Sequence, residues 1–215
     1  MKKYFKILAL PILTSIIFII IFITNIPKIK YKYNAEYDGY FITDVKGNAE
    51  YYEIKEYYKD LAVVGIDEHA FDKHNNLKEI NLPSTIKFIG RMAFFECTKL
   101  EKINLDDVYE IERNAFSYCA NLKEINLNAS YIGASAFYKC SSLSNVDLNN
   151  TISIGTLAFS NTKIKNINIP STCNFLGQDA FYECYLLENI NVYGKSLKSN
   201  SYLKSLAIVN YIEKE

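Results

Sequence analysis

An Ala-Phe pair recurs along this chain with its aromatic member at Phe71, Phe94, Phe116, Phe137, Phe159 and Phe181, at spacings of 23, 22, 21, 22 and 22 residues. Five residues before each Phe stands an aliphatic residue (Ile66, Ile89, Ile111, Ile132, Ile154, Leu176), and in four of the six copies a glycine follows it. Downstream come Leu77, Leu100, Leu122, Leu143, Ile164 and Leu187, then Ile80, Ile103, Ile125, Val146, Ile167 and Ile190, then Leu82, Leu105, Leu127, Leu148, Ile169 and Val192. The fifth copy is one residue shorter, between Phe159 and Ile164. The segment PSTIKFIG at 83–90 returns as PSTCNFLG at 170–177. A unit this short cannot bury an apolar face alone, so six registered copies point to a solenoid in which each coil packs only on its neighbours.

Each unit contains L-x-x-I-x-L, whose end alternates apolar and polar as a strand with one buried face does. Stacking turns equivalent residues into columns: the Phe column, two aliphatic columns, and a small-residue column at Ala70, Ala93, Ala115, Ala136, Ala158 and Ala180. The constant alanine predicts a place where neighbouring backbones pass too close for a larger side chain. Strands in register predict a parallel sheet, and the I-G step is expected to turn the chain on the opposite side. The unit LxxIxLPxxIxxIGxxAFxxCxxL, with its cysteine at Cys97, Cys119, Cys140 and Cys184, resembles the leucine-rich repeats of the BspA-like family. His74 and Thr162 depart from that pattern in the first and fifth copies. The resemblance implies a β-rich leucine-rich-repeat solenoid of short parallel strands with short helical or turn segments. It also implies a surface-exposed or secreted protein, several members of the family being adhesins that bind host or partner-cell proteins.

The ends of such a stack must be covered. Six repeats are placed at 66–193, an N-terminal cap at 39–65 and a C-terminal cap at 194–215. The first cap is read as a Tyr-rich hairpin, with strands around Tyr40-Phe41 and Tyr51-Tyr52 and a turn at Lys46-Gly47-Asn48. Residues 27–38 read as a polar tether. Before it, residues 7–26 run twenty positions without a charge, enough for one helical crossing of a bilayer. This segment is read as a transmembrane signal-anchor behind a basic tail at 1–6. Lys2, Lys3 and Lys6 on one side and Lys28, Lys30 and Lys32 on the other give an edge to an N-in orientation with an exported domain. A cleaved signal peptide, which would leave a secreted domain, and a buried core helix are the competing readings; no A-x-A-like site precedes Pro27.

Those six lysines carry the charge asymmetry of a chain that is neutral as a whole. Without them 18 basic residues face 24 acidic ones, a net charge of −6. An acidic body lacks the basic face that nucleic acid requires. The five cysteines show no C-x-x-C pair and lie at least eleven residues apart, so they read as buried apolar thiols rather than as zinc ligands. His69 and His74 flank the first Ala-Phe pair and are expected to face solvent. No phosphate loop, dinucleotide fingerprint, metalloprotease, nucleophile-elbow or EF-hand motif occurs. Neither an enzyme nor a cofactor is expected.

What remains is the outward side of the stacked strands. Its central column reads Asn81, Asn104, Asn126, Asp147, Asn168 and Asn191, one flank reads Glu79, Lys102, Glu124, Asn145, Asn166 and Asn189, and Tyr193 closes the other flank. In register, the amides are suited to a structural ladder and equally to a ligand surface. The expected function is that of a membrane-anchored cell-surface module, an adhesin or receptor, binding a protein or other surface macromolecule through these residues. A structural scaffold of the cell envelope is the alternative. The oligomeric state is left open.

Overall fold

Each repeat folds into one coil that carries two short strands and a hydrogen-bonded turn. The computed structural model describes residues 27–194, Leu197 and Ile208–Ile212. The segment read as a membrane anchor, residues 7–26, and the basic tail before it lie outside the described residues, as does most of the C-terminal cap. Among the described residues no helix is long and apolar enough to cross a membrane.

The I-G step is a strand, not a turn. The strands β5 (Leu61–Ile66), β7 (Phe88–Ile89), β9 (Glu110–Ile111), β11 (Tyr131–Ile132), β13 (Ser153–Ile154) and β15 (Phe175–Leu176) pair in parallel as one continuous sheet. The glycines after them do not have a left-handed backbone; they serve close approach. A Cβ on Gly90 would lie 2.8 Å from the backbone nitrogen of Glu68, and one on Gly133 would lie 2.6 Å from that of Arg113. At Glu112 a side chain occupies the equivalent position, and its carboxylate turns back to accept the Arg91 N–H (2.8 Å).

The L-x-x-I-x-L segments form the second strand of each coil: β6 (Glu79–Asn81), β8 (Lys102–Ile103), β10 (Glu124–Asn126), β12 (Asn145–Asp147), β14 (Asn166–Ile169) and β16 (Asn189–Tyr193). They face the same way, but the pairing is interrupted between β8 and β10 and again between β12 and β14.

The helical or turn segments expected between the strands are turns at the Ala-Phe pairs, and they make a third ladder between coils. The residues two before and two after each Phe have positive φ, as at His69 (60°) and Lys73 (57°) or Asn114 (57°) and Tyr118 (66°). This alternation aims every second N–H at the next coil. Phe71, Phe94, Phe116, Phe137 and Phe159 each donate to the alanine carbonyl one coil on, all at 2.8 Å. The alanine column thus marks a line of inter-coil hydrogen bonds. Inside, the six phenylalanines are buried and stack face to face at 5.0–5.7 Å.

The N-terminal cap differs from the expected hairpin. Tyr40-Phe41 lie on β2 (Gly39–Lys46), which pairs in parallel with β5, and Tyr51-Tyr52 lie on β3 (Tyr51–Glu53), which pairs in parallel with β6. The turn between them is the corner of an additional coil, because this path places Ile42 and Tyr52 in the core columns, where both are buried. The stretch 27–38, expected as a tether, carries β1 (Lys28–Asn34), paired antiparallel with β2. Its sequence KIKYKYN alternates charged and apolar residues, which suits a half-covered edge strand. A second small hairpin joins β4 (Tyr57–Tyr58) to β5 through Lys59 and Asp60, both at positive φ as a type I′ turn requires. At the other end, β17 (Ile208–Ile212) pairs in parallel with β16, so part of the expected C-terminal cap continues the repeat.

Candidate binding face

Alternation along β6, β8, β10, β12, β14 and β16 turns every second residue inward, all buried except the half-buried Val146 of β12, and the others outward. All thirteen residues singled out from the sequence lie on this one face. Ten are exposed; Asn189, Asn191 and Tyr193 are half-buried beside β17.

The two halves of the face differ chemically. Toward the N-terminus, opposite charges sit on neighbouring coils. Glu79 and Lys102 are register partners with their charged groups 3.9 Å apart, and Lys123 donates to Glu101 at 2.9 Å. That hydrogen bond from Lys123 lowers the Glu101 pKa below the usual carboxylate range. On the outer side of β6, Asn104 brackets the backbone of Leu82, accepting its N–H and donating to its carbonyl, both at 2.8 Å. Here a side chain extends the strand ladder.

Toward the C-terminus the amides ladder with one another. Asn189 donates to Asn166 (2.8 Å), Asn191 to Asn168 (2.9 Å) and Asn210 to Asn191 (3.0 Å). Between the two halves lies a depression of about 790 Å³ around β12, lined by Asn126, Asn145, Asp147, Asn166, Asn168 and Tyr193 among others. A smaller one of about 520 Å³ lies over Glu79, Asn81, Lys102, Asn104 and Glu124.

Sequence reasoning missed residues at both ends. Tyr51 and Glu53 are register partners of Glu79 and Asn81, and Asn210 continues the central column beyond Asn191. The signal for Asn210 was Val209-Asn210-Tyr211, an apolar–Asn–apolar triplet like Ile190-Asn191-Val192.

The other candidates fall inside the scaffold. Each repeat cysteine donates its thiol to the phenylalanine carbonyl of the preceding coil: Cys97 to Phe71 (3.0 Å), and Cys119 to Phe94, Cys140 to Phe116 and Cys184 to Phe159 (3.1 Å each). All five cysteines are buried and none is joined in a disulfide. His69 is exposed between Glu68 and Asp72. His74, expected at the surface, is half-buried in the cysteine column, edge-on to Phe71 (5.5 Å) and Tyr52 (6.2 Å). Among the described residues no three His, Cys, Asp or Glu side chains gather into a group that could hold a metal ion.

A family model described as the BspA type leucine rich repeat region, in six copies, matches residues 64–188 and 110–213. No curated protein is significantly similar in sequence. Among solved structures, the leucine rich repeat protein of T. pallidum is similar with a TM-score of 0.61 at 24% identity, covering 86% of this chain and 80% of its own. A leucine rich cell surface protein from Faecalibacterium prausnitzii A2-165 is similar with a TM-score of 0.58 at 23% identity, covering 76% of this chain and 52% of its own. At these identities the likeness is one of fold.

Proposed function

The chain belongs to the BspA-type leucine-rich-repeat family, and from that premise we propose that it is a cell-surface binding module, an adhesin or receptor, that works by holding a partner and not by catalysis. The observation that carries this reading is the strand face: a broad, exposed array of hydrogen-bonding side chains on a rigid, multiply laddered scaffold. Repeat scaffolds of this kind offer extended surfaces to partners. The uncharged segment 7–26 supports anchoring in a membrane with the repeats exported.

The test uses the full chain in its own membrane. Protease added to intact cells should remove the repeats while sparing the anchored segment; full protection would overturn the exported reading. Affinity capture from surface and matrix fractions should fall about tenfold, equivalent to roughly 1.4 kcal/mol, for a variant combining Lys102→Glu with Glu124→Lys or for Asn145→Ala. Capture indifferent to both variants would remove the strand face as the ligand surface.

A further inference from the structure

The hydrogen-bonding groups of the strand face are engaged at its C-terminal end and free in its middle. Asn166 and Asn168 accept from the amides of the next coil. Asp147 accepts from Asn149 at 2.8 Å, while no side-chain hydrogen bond ties Asn126 or Asn145 to the rest of the described protein. These free groups line the depression around β12, at the point where pairing with β14 is interrupted.

We infer that this depression binds a neutral linear oligosaccharide; the inference rests on the reading of the strand face as a ligand surface. Among the described residues its lining includes Glu124 and Asp147 but no Lys, Arg or His, so a phosphorylated, sulfated or uronic chain would meet like charge there and no counter-ion. The chemistry that fits is the hydroxyl group, which donates and accepts at once. Asn126 and Asn145 offer amide donors and acceptors side by side, Asn166 and Asn168 keep their amide N–H donors while their oxygens accept from the next coil, and Asp147 accepts only. Tyr193 lines the same depression and supplies an aromatic surface for the apolar face of a sugar ring. A protein partner finds few anchors here: interface energy concentrates in Trp, Tyr and Arg, the chain has no Trp, and among the described residues Tyr193 is the only one of those types in the depression. The parallel strands repeat this set from coil to coil, which suits a polymer with a regular repeat.

Titration calorimetry of the full chain in neutral detergent with cellohexaose, chitohexaose and maltohexaose tests this. Saturable binding of at least one is expected, changing less than about twofold between low and high salt because no ion pair is involved. Asn145→Ala and Asp147→Ala should each weaken it about tenfold with thermal unfolding unchanged, since both side chains are exposed. Arg113→Gln, exposed just after β9 on the opposite sheet of the coil, should leave binding intact. No saturable binding by any of the three, strong salt dependence, or binding indifferent to Asn145 and Asp147 would each overturn the inference. If partner capture still depends on the strand face while no hexasaccharide binds, the face is a ligand surface for another chemistry and only the oligosaccharide is lost.

Discussion

A phenylalanine in the middle of the stack has a ring against each of its faces. Phe116 lies between Phe94 at 5.1 Å and Phe137 at 5.2 Å. Phe116→Ala should therefore cost about 3–5 kcal/mol, the range for buried aromatics, read as a lower urea midpoint. Phe71 stands in the first repeat but is equally buried, with Phe94 stacked on one side and Tyr52 edge-on at 5.4 Å. Phe71→Ala should cost as much as Phe116→Ala. Among the described residues Phe181 stacks only on Phe159, at 5.7 Å, and its loss should cost less. The thiols make a second residue-scale case. Burial pushes Cys97 up to about 12 and Cys173 up to about 11, and raises Cys119, Cys140 and Cys184 as well. A folded pKa raised above the unfolded one gives stability that is complete below the unfolded value and is lost as pH rises toward the folded value. From about pH 8.5 upward the unfolded chain ionises these thiols and the folded chain does not, so each removes about 1.4 kcal/mol per pH unit. Cys119→Ala should flatten the fall in unfolding free energy, measured by urea denaturation, between about pH 9 and 10 by that amount per unit; an unchanged slope would mean that Cys119 ionises freely in the fold.

At the scale of the element, the coil is held by three ladders, one of which depends on close approach at glycine and one on positive-φ backbone. Gly155 and Gly177 pack so close to the preceding coil that a Cβ would fall 2.8 Å from the Cα of Ala134 and of Thr156 respectively. Gly155→Ala should destabilise by about 1–3 kcal/mol, as overpacking does, and it should do so without any left-handed strain. The positive-φ positions make the opposite case. Lys73 is exposed at φ 57°, where an L side chain is penalised by about 1–2 kcal/mol, so Lys73→Gly should raise stability by up to about 1 kcal/mol after the entropy lost by glycine. This ladder shows where sequence reasoning reaches its limit. The columns of Phe, Ala, Ile and Leu are periodic and define the coil, whereas the alternating backbone is carried by residues as unlike as His69, Met92, Ser135 and Leu157, because inter-coil hydrogen bonds set it and side-chain type does not. Two other elements were present in the sequence as patterns. In β1 the alternation was masked by its lysines, which suggest a tether but also protect an edge strand. In β17 the triplet at 209–211, with Leu206 three residues before Val209, matches the strand pattern but lacks the Ala-Phe pair that would register it.

Over the whole molecule, the stack is continuous on one side and segmented on the other. The sheet from β1 and β2 through β15 runs unbroken, while the strand face is divided into β3-β6-β8, β10-β12 and β14-β16-β17. The second interruption falls where the repeat is one residue shorter, between Phe159 and Ile164. A shorter turn brings β14 into its coil by a different path from β12, while the stacked rings and the continuous sheet keep the coils in step. All thirteen face residues were identifiable as outward-facing from their period-two alternation, but the position of the depression was not, because L-x-x-I-x-L reads alike on both sides of each interruption. The consequence for motion follows from the hydrogen bonds. Gly133 donates to Ile111 at 2.7 Å and Gly155 to Ile132 at 2.8 Å, and such amides exchange only when one coil separates from the next. Amides beside the interruption need only a local opening of the face. Opening free energies differ between regions of one fold in this way, so hydrogen exchange in peptides covering 145–147 and 166–169 should be faster by about tenfold than in peptides covering 131–133 and 153–155, equivalent to roughly 1.4 kcal/mol. Equal protection on both sides would mean that the face opens only together with the continuous sheet, and that the depression around β12 is a rigid feature of the stack.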